Sequence, residues 1–172
     1  MEATKYTISM LVEDKAGVLN RVASLFRRRG FNIQSLAVGG SEQPGLSRMT
    51  IVVLADPAQV EQVRKQLDKL VNVVRISDIT DEEIVARELV LIKVAATAKV
   101  RSEIMQIVDI FRANIVDVAA DSVMVEVTGD EEKVGSLMEL LRPFGIREVA
   151  RTGRIALTRG GTARANNKKK GE

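Results

Sequence analysis

The chain has 172 residues, of which 26 are Lys or Arg and 23 are Asp or Glu, and it contains neither Cys nor His. It therefore lacks the commonest metal ligands, the thiol nucleophile and the one side chain that titrates near neutral pH, which argues against most hydrolases, transferases and zinc proteins. Its apolar runs are too short to span a bilayer. We expect a soluble, cytoplasmic protein of one or two small domains, with no membrane segment, catalytic site or metal site.

The first half of the chain predicts the element order βαββαβ. Apolar side chains recur at helical spacing from Val18 to Phe26, directly after a turn that ends at Gly17. Asp56 followed by Pro57 is typical of a helix N-terminus, because Asp caps the free N–H groups and Pro fits the first helical position. The predicted elements are strands at 5–12, 32–40, 47–55 and 72–79, with helices after Gly17 and after Asp56.

The second half repeats this order after a charged stretch, although its sequence does not repeat visibly. Helical spacing recurs from Val100 to Phe111 and from Val134 to Leu141, and Asp130 is a plausible N-cap for the latter helix. The last strand of this half is either broken in two or followed by an additional strand. The predicted strands are 88–95, 115–119, 122–128, 146–150 and 154–158.

These patterns predict an α+β protein with two ferredoxin-like βαββαβ domains, each with two helices on one face of an antiparallel sheet. The expected boundaries are 1–80 for the first domain, 81–87 for a linker, 88–158 for the second domain and 159–172 for a disordered tail. Both faces of the strand at 47–55 are rich in apolar residues, so the face without helices needs a cover. Because each domain is small, we expect a homodimer.

The basic character of the chain resides in its tail. Residues 159–172 carry a net charge of +4, whereas the whole chain is at +3. The four Phe and one Tyr are too few for the base-stacking sheet of an RNA-recognition domain, which shares the βαββαβ order. We therefore expect no nucleic-acid partner.

The turn from Asp14 to Leu19 is the strongest candidate for a binding site. Backbone N–H groups at Gly17, Val18 and Leu19 would begin a helix without intrahelical acceptors, and this end of a helix attracts carboxylates. The Asp14 carboxylate and the Asn32 amide complement an ammonium group. The residues alone leave two interpretations open, which are an ordinary capping turn and a site for a small amino acid.

The sequence also resembles a known family in the blocks D-x-A-G-V-L-N-R-V-A-x-L-F, R-R-G-F-N-I-Q-S-L-A-V-G-G-S-E and L-S-R-M-T-I-V-V, and again in QLDKLVNVVRISDIT and RELVLIKV. These blocks resemble the small regulatory subunit of acetohydroxyacid synthase, also called acetolactate synthase. The resemblance covers nearly all of the chain except the tail. It implies an N-terminal ACT domain, dimerised side by side into a continuous sheet, and a C-terminal domain of related fold.

The resemblance further implies a role in branched-chain amino acid biosynthesis, with no catalytic site or cofactor on this chain. A small subunit of this family binds and activates a large catalytic subunit, which carries thiamine diphosphate, Mg²⁺ and FAD, and confers feedback inhibition by valine. The resemblance also implies that variants at the position of Asn20 alter feedback sensitivity. The effector residues that the resemblance implies are Asp14, Lys15, Ala16, Gly17, Val18 and Leu19 of one subunit, with Asn32 and Ile33 of the other.

A second function remains open from the sequence. The same sensor turn would serve a free-standing amino-acid-binding module that regulates another enzyme or a transcription regulator. Such a module would not raise the rate of an acetolactate synthase large subunit.

Overall fold

The computed structural model of this chain describes residues 4–160, which divide into two compact units. The first unit comprises residues 4–85 and 156–160, and the second comprises residues 86–155. Within the described part of the chain, no helix is both long and apolar enough to cross a membrane. Residues 161–172, which are most of the predicted tail, lie outside the described residues.

The first unit has the predicted βαββαβ order. Its four antiparallel strands lie in the order β2-β3-β1-β4, so that β2 and β4 are the edges of the sheet. The capping box predicted at Asp56 is present, because its carboxylate accepts the Gln59 N–H at 2.8 Å and the Gln59 side chain accepts the Asp56 N–H at 3.2 Å. The elements are β1 (Thr4–Glu13), α1 (Val18–Arg28), β2 (Ile33–Gly40), β3 (Leu46–Ala55), α2 (Pro57–Leu67) and β4 (Val73–Asp78).

Alternation along the central strands of this sheet decides which side chains enter the core. Ile8 and Met10 of β1 lie opposite Ile51 and Met49 of β3, and all four are at most 1% exposed. The two helices cover this face with apolar stripes at helical spacing. The helical core residues are Val18, Val22, Leu25 and Phe26 of α1 and Val60, Val63 and Leu67 of α2.

The second unit is built in the same way around its own core. Strands β5, β7, β6 and β8 form an antiparallel sheet in the order β6-β7-β5-β8, and β9 also pairs with β5. Val90, Ile92 and Val94 of β5 are fully buried in this core. The remaining elements are β5 (Ile84–Ala95), α3 (Arg101–Ile110), β6 (Asn114–Val118), β7 (Ser122–Gly129), α4 (Glu131–Leu141), a 3₁₀ turn (Arg142–Phe144) and β8 (Ile146–Arg151). They are followed by β9 (Ile155–Thr158), of which all but the first residue falls in the first unit.

The expected boundaries at 81–87 and at 158 differ from the structure. Strand β5 begins at Ile84, inside the expected linker. Of the charged residues that indicated a linker, Arg87 and Glu88 belong to this strand, and Glu88 pairs with Arg151 of the neighbouring strand at 2.9 Å. Residues 156–160 group with the first unit, and the Arg159 N–H donates to the Glu83 carbonyl at 2.8 Å.

Candidate functional site

The turn between β1 and α1 depends on a glycine at its last position. Gly17 is the N-cap of α1 and has a φ of 85°, in the left-handed region that residues with a Cβ rarely adopt. No side chain of the described residues caps this helix, so Asp14 does not have the ordinary capping role that the sequence left open. Asp14, Lys15, Ala16 and Gly17 are all exposed.

The backbone donors of the turn differ partly from the expectation. The Val18 N–H already donates to the Lys15 carbonyl at 3.3 Å. The N–H groups of Gly17 and Leu19, by contrast, have no acceptor within residues 4–160. These N–H groups at the positive end of α1 are therefore available to an anionic group.

The side chains that follow the turn divide between the core and the surface. Val18 is 5% exposed and packs in the core, so it offers the site only its backbone. Leu19 is 44% exposed, and Asn20 is exposed as well. Leu19 thus provides an apolar contact beside the two available N–H groups.

A polar network anchors the beginning of this turn to a distant loop. The Glu13 N–H donates to the Asn72 carbonyl at 2.9 Å, and the Asn72 amide donates to the Glu13 carboxylate at 2.6 Å. The amide oxygen of Asn72 accepts a bond from Arg21 of α1 at 2.6 Å. Hydrogen bonds from Asn72 and then from Lys15 lower the pKa of Glu13. Asn72 therefore connects the strand before the turn with the helix after it.

Sequence reasoning did not identify Asn72 or Arg21. Asn72 lies 59 residues from Glu13 and 51 from Arg21 along the chain, and no local spacing signals contacts over such separations. The backbone bond from Asp14 to the Gly45 carbonyl at 2.8 Å also joins residues that are far apart along the chain. Only the sheet register brings these loops together.

Asn32 and Ile33 lie at the other end of the sheet. Ile33 is opposite Val53, which is also opposite Tyr6, whereas Glu13 at the turn is opposite Leu46. Seven strand residues separate these two levels, a distance of about 23 Å at about 3.3 Å per residue. Within one chain, the structure therefore does not bring the turn and Asn32 together.

The surroundings of Asn32 form an open groove of about 400 Å³. Asn32 is exposed and Ile33 is half-buried against the core. Phe31 contributes an aromatic wall and packs edge-to-face on Phe26, with ring centroids 6.2 Å apart. The groove thus offers one amide beside an apolar surface.

The second unit contains a corresponding turn, near which a side chain binds three backbone carbonyls. Its backbone bonds from Ala95 to Gly145 and from Ala96 to Asp121, both at 2.9 Å, match those from Glu13 to Asn72 and from Asp14 to Gly45. Here the guanidinium of Arg101 donates to the carbonyls of Ala96, Ala119 and Ala120 at 3.3, 2.8 and 3.1 Å. These bonds occupy carbonyl oxygens around the second turn and none of its N–H groups. Within residues 4–160, no cluster of acidic residues has the geometry of a metal site.

Two ferredoxin-like units, the first with an exposed glycine turn between β1 and α1, define a protein of two ACT-type domains. Residues 8–75 match the family model for the AHAS small subunit-like ACT domain, and residues 87–160 match the model for the small subunit of acetolactate synthase. The chain belongs to the family of acetolactate synthase small subunits.

Individual relatives extend this similarity over nearly the whole chain. The chain is 58% identical over 156 residues to a probable acetolactate synthase small subunit of Archaeoglobus fulgidus, covering 91% of this chain and 98% of the relative. It is 54% identical over 160 residues to the acetolactate synthase small subunit of Mycobacterium bovis, covering 93% and 95%. The crystal structure of the small subunit from Thermotoga maritima superposes with a TM-score of 0.81 at 44% identity, covering 91% of this chain and 98% of that one.

Family membership confirms the expected role in branched-chain amino acid biosynthesis and implies a large catalytic subunit as a partner. The fold class predicted from the sequence, two ferredoxin-like ACT-type domains, is also confirmed.

Proposed function

We propose that this chain is a regulatory subunit that binds and activates the thiamine-diphosphate-dependent catalytic subunit of acetolactate synthase and makes it sensitive to valine. The observation that carries the proposal is the exposed turn at Gly17, where the N–H groups of Gly17 and Leu19 have no acceptor within residues 4–160. Thiamine diphosphate, Mg²⁺ and FAD belong to the catalytic partner, and the complex acts in the cytoplasm.

The chemistry of the turn suits the carboxylate of an amino acid. Its two oxygens accept from the N–H groups of Gly17 and Leu19, in the positive field of the helix N-terminus. Lys15 pairs with Glu13 at 3.2 Å, which leaves the Asp14 carboxylate to attract the ammonium group. The aliphatic side chain of valine then contacts the exposed part of Leu19.

A second chain supplies the other half of the site. Strand β2 is an edge of the sheet, with Val38 46% exposed, and such an edge can accept another strand. Antiparallel pairing of two β2 strands about a two-fold axis aligns the beginning of one with the end of the other. Because Gly40 at the end of β2 is opposite Ser47, near the turn, this pairing brings Asn32 and Ile33 to the level of the partner's turn.

Feedback then requires that valine distinguish two states of the complex. A ligand shifts an equilibrium only by its difference in affinity between the states. A site built from two chains meets this condition, because any movement at the β2–β2 contact changes the distance between the two half-sites.

Reconstitution with the catalytic subunit tests this function. We expect that adding the small subunit raises the rate of acetolactate formation and that millimolar valine lowers it again. A calorimetric titration of valine into the small subunit alone should give heat. An unchanged rate on mixing would exclude the proposal, and heat with valine in that case would support a free-standing amino-acid-binding module.

A further inference from the structure

A separate polar cavity lies on the face of the first unit's sheet that is opposite α1 and α2. Its volume is about 180 Å³, equivalent to about six water molecules at about 30 Å³ each. Strands β1, β3 and β4 form one side, while the β2–β3 loop, the segment around Glu82 and Ala156–Thr158 complete the lining. All of these residues belong to the first unit.

The sheet register arranges the polar groups on the strands in two rows. Leu11 lies opposite Arg48 on β3 and opposite Arg75 on β4, so both arginines share its face of the sheet. With neighbouring strands about 4.8 Å apart, their Cα atoms are about 10 Å from each other. Two residues further along, Ser9 lies opposite Ser77, which adds two hydroxyl groups to the cavity.

Two arginines and two glutamates line the cavity, but only one arginine and one glutamate of the four pair with each other in the described part of the chain. Arg48 donates to both carboxylate oxygens of Glu42, each at 3.2 Å. Arg75 and Glu82 have no ion pair or side-chain hydrogen bond with any other residue of the described range 4–160. One guanidinium and one carboxylate therefore line the cavity with unused hydrogen-bonding capacity.

We propose that this cavity binds a small zwitterion, specifically an α-amino acid with a short side chain. Its carboxylate pairs with Arg75, its ammonium group pairs with Glu82, and the hydroxyls of Ser9 and Ser77 complete the hydrogen bonds. A simple anion fits less well, because Glu42 and Glu82 give the cavity as many negative as positive charges. The site is separate from the turn at Gly17 and goes beyond the proposed valine feedback.

Binding here would contact both the sheet and the chain segment that returns to it. A ligand that binds only the folded state stabilises every element it holds together. Occupancy should therefore slow backbone hydrogen exchange at Ala156–Thr158, which the proposed ligand at Gly17 would not contact.

Calorimetry on the full chain tests the proposal. The chain carries a Gly17→Asp substitution, which should prevent amino-acid binding at the turn. We expect at least one of glycine, alanine, serine, threonine and valine to bind at one per chain and to slow hydrogen exchange at residues 156–158. Arg75→Gln and Glu82→Gln should each weaken this binding at least tenfold. Arg28→Gln removes an exposed guanidinium from α1, on the other face of the sheet, and should leave the affinity unchanged.

Three outcomes would overturn the proposal. They are no binding by any of the five amino acids, equal affinity in the Arg75→Gln variant, and binding of inorganic phosphate that Glu82→Gln tightens while amino acids do not bind. If Gly17→Asp does not fold, Asn32→Ala at an exposed position replaces it as the background. If the reconstituted enzyme shows no feedback by valine, that result would contradict the proposed function but not this second site. The calorimetric titrations that test the second site use the small subunit without the catalytic subunit.

Discussion

Gly17 matters to the proposed site in two ways, through its backbone conformation and through the position of its N–H group. Its positive φ costs a residue with a Cβ about 1–2 kcal/mol, although Asn and Asp tolerate this region best. Its N–H lies where we place the ligand's carboxylate. Asp and Asn have nearly the same shape and the same backbone strain, and they differ mainly in charge.

We therefore predict that Gly17→Asp abolishes the response to valine and leaves activation of the catalytic subunit intact, because a negative charge repels the ligand's carboxylate. Gly17→Asn is the matched control and should retain valine binding within about tenfold of the original affinity, or about 1.4 kcal/mol. Calorimetry and acetolactate assays measure the two properties. Equal losses in both variants would show that backbone strain, rather than charge, is responsible.

Asn72 acts on the turn through Glu13 and Arg21. We predict that Asn72→Leu lowers the free energy of unfolding by about 1–2 kcal/mol, the usual net contribution of two hydrogen bonds, and weakens valine binding several-fold. Gln62→Leu provides a control, since its exposed side chain accepts a long 3.4 Å bond from Arg29 at the surface. Unchanged valine affinity in Asn72→Leu would mean that the turn keeps its shape without this anchor.

At the level of single elements, helix α2 carries an ion pair that makes stability depend on pH. The two Arg64 donors contact Glu61 at 2.8 and 2.9 Å, and this hydrogen bonding is the main cause that lowers the pKa of Glu61 from 4.5 to about 2. A carboxylate with a lowered pKa stabilises the fold above its unfolded pKa, and the contribution is lost as the pH falls through the folded value. The pair is exposed, so the effect is small.

We predict that the free energy of unfolding falls less steeply between pH 4.5 and about 2 in Glu61→Gln than in the unmodified chain. Urea denaturation at several pH values in this range measures the slope. Glu103→Gln in α3 is a control, because Glu103 has no ion pair within the described range 4–160. An identical slope in the Glu61→Gln variant would contradict the assignment.

The elements that sequence predicts well are those fixed by local periodicity and capping. Val18, Val22, Leu25 and Phe26 lie on one face of a helix, and the Asp56 cap depends on a residue three positions away. The start of β5 was missed because charged strand residues resemble a linker in composition. For the candidate site, local sequence identified the Gly17 turn and Asn32, but the long-range bonds of Asn72 and Arg101 depend on sheet register.

At the level of the whole molecule, the proposed effector site exists only in a dimer. We predict that Val38→Lys on β2 shifts the protein from dimer to monomer and abolishes valine binding, because a charged residue on an edge strand opposes pairing. Val116→Lys makes the same change at a residue 50% exposed on β6, the edge strand of the second unit, and should leave the dimer intact. Analytical ultracentrifugation with valine titration distinguishes these results, and a Val38→Lys dimer that still binds valine would place the interface elsewhere.

Because residues 156–160 belong to the first unit, this unit cannot be completed during translation until the second unit has been synthesised. The ribosome completes the helices and the four strands of this unit early, but the segment that lines the far face of its sheet emerges only after all of residues 86–155. The nascent first unit therefore lacks this part of the lining beside Leu11 until translation of the second unit has finished. Premature termination after residue 153 would leave the second unit nearly complete and the first unit without its last strand.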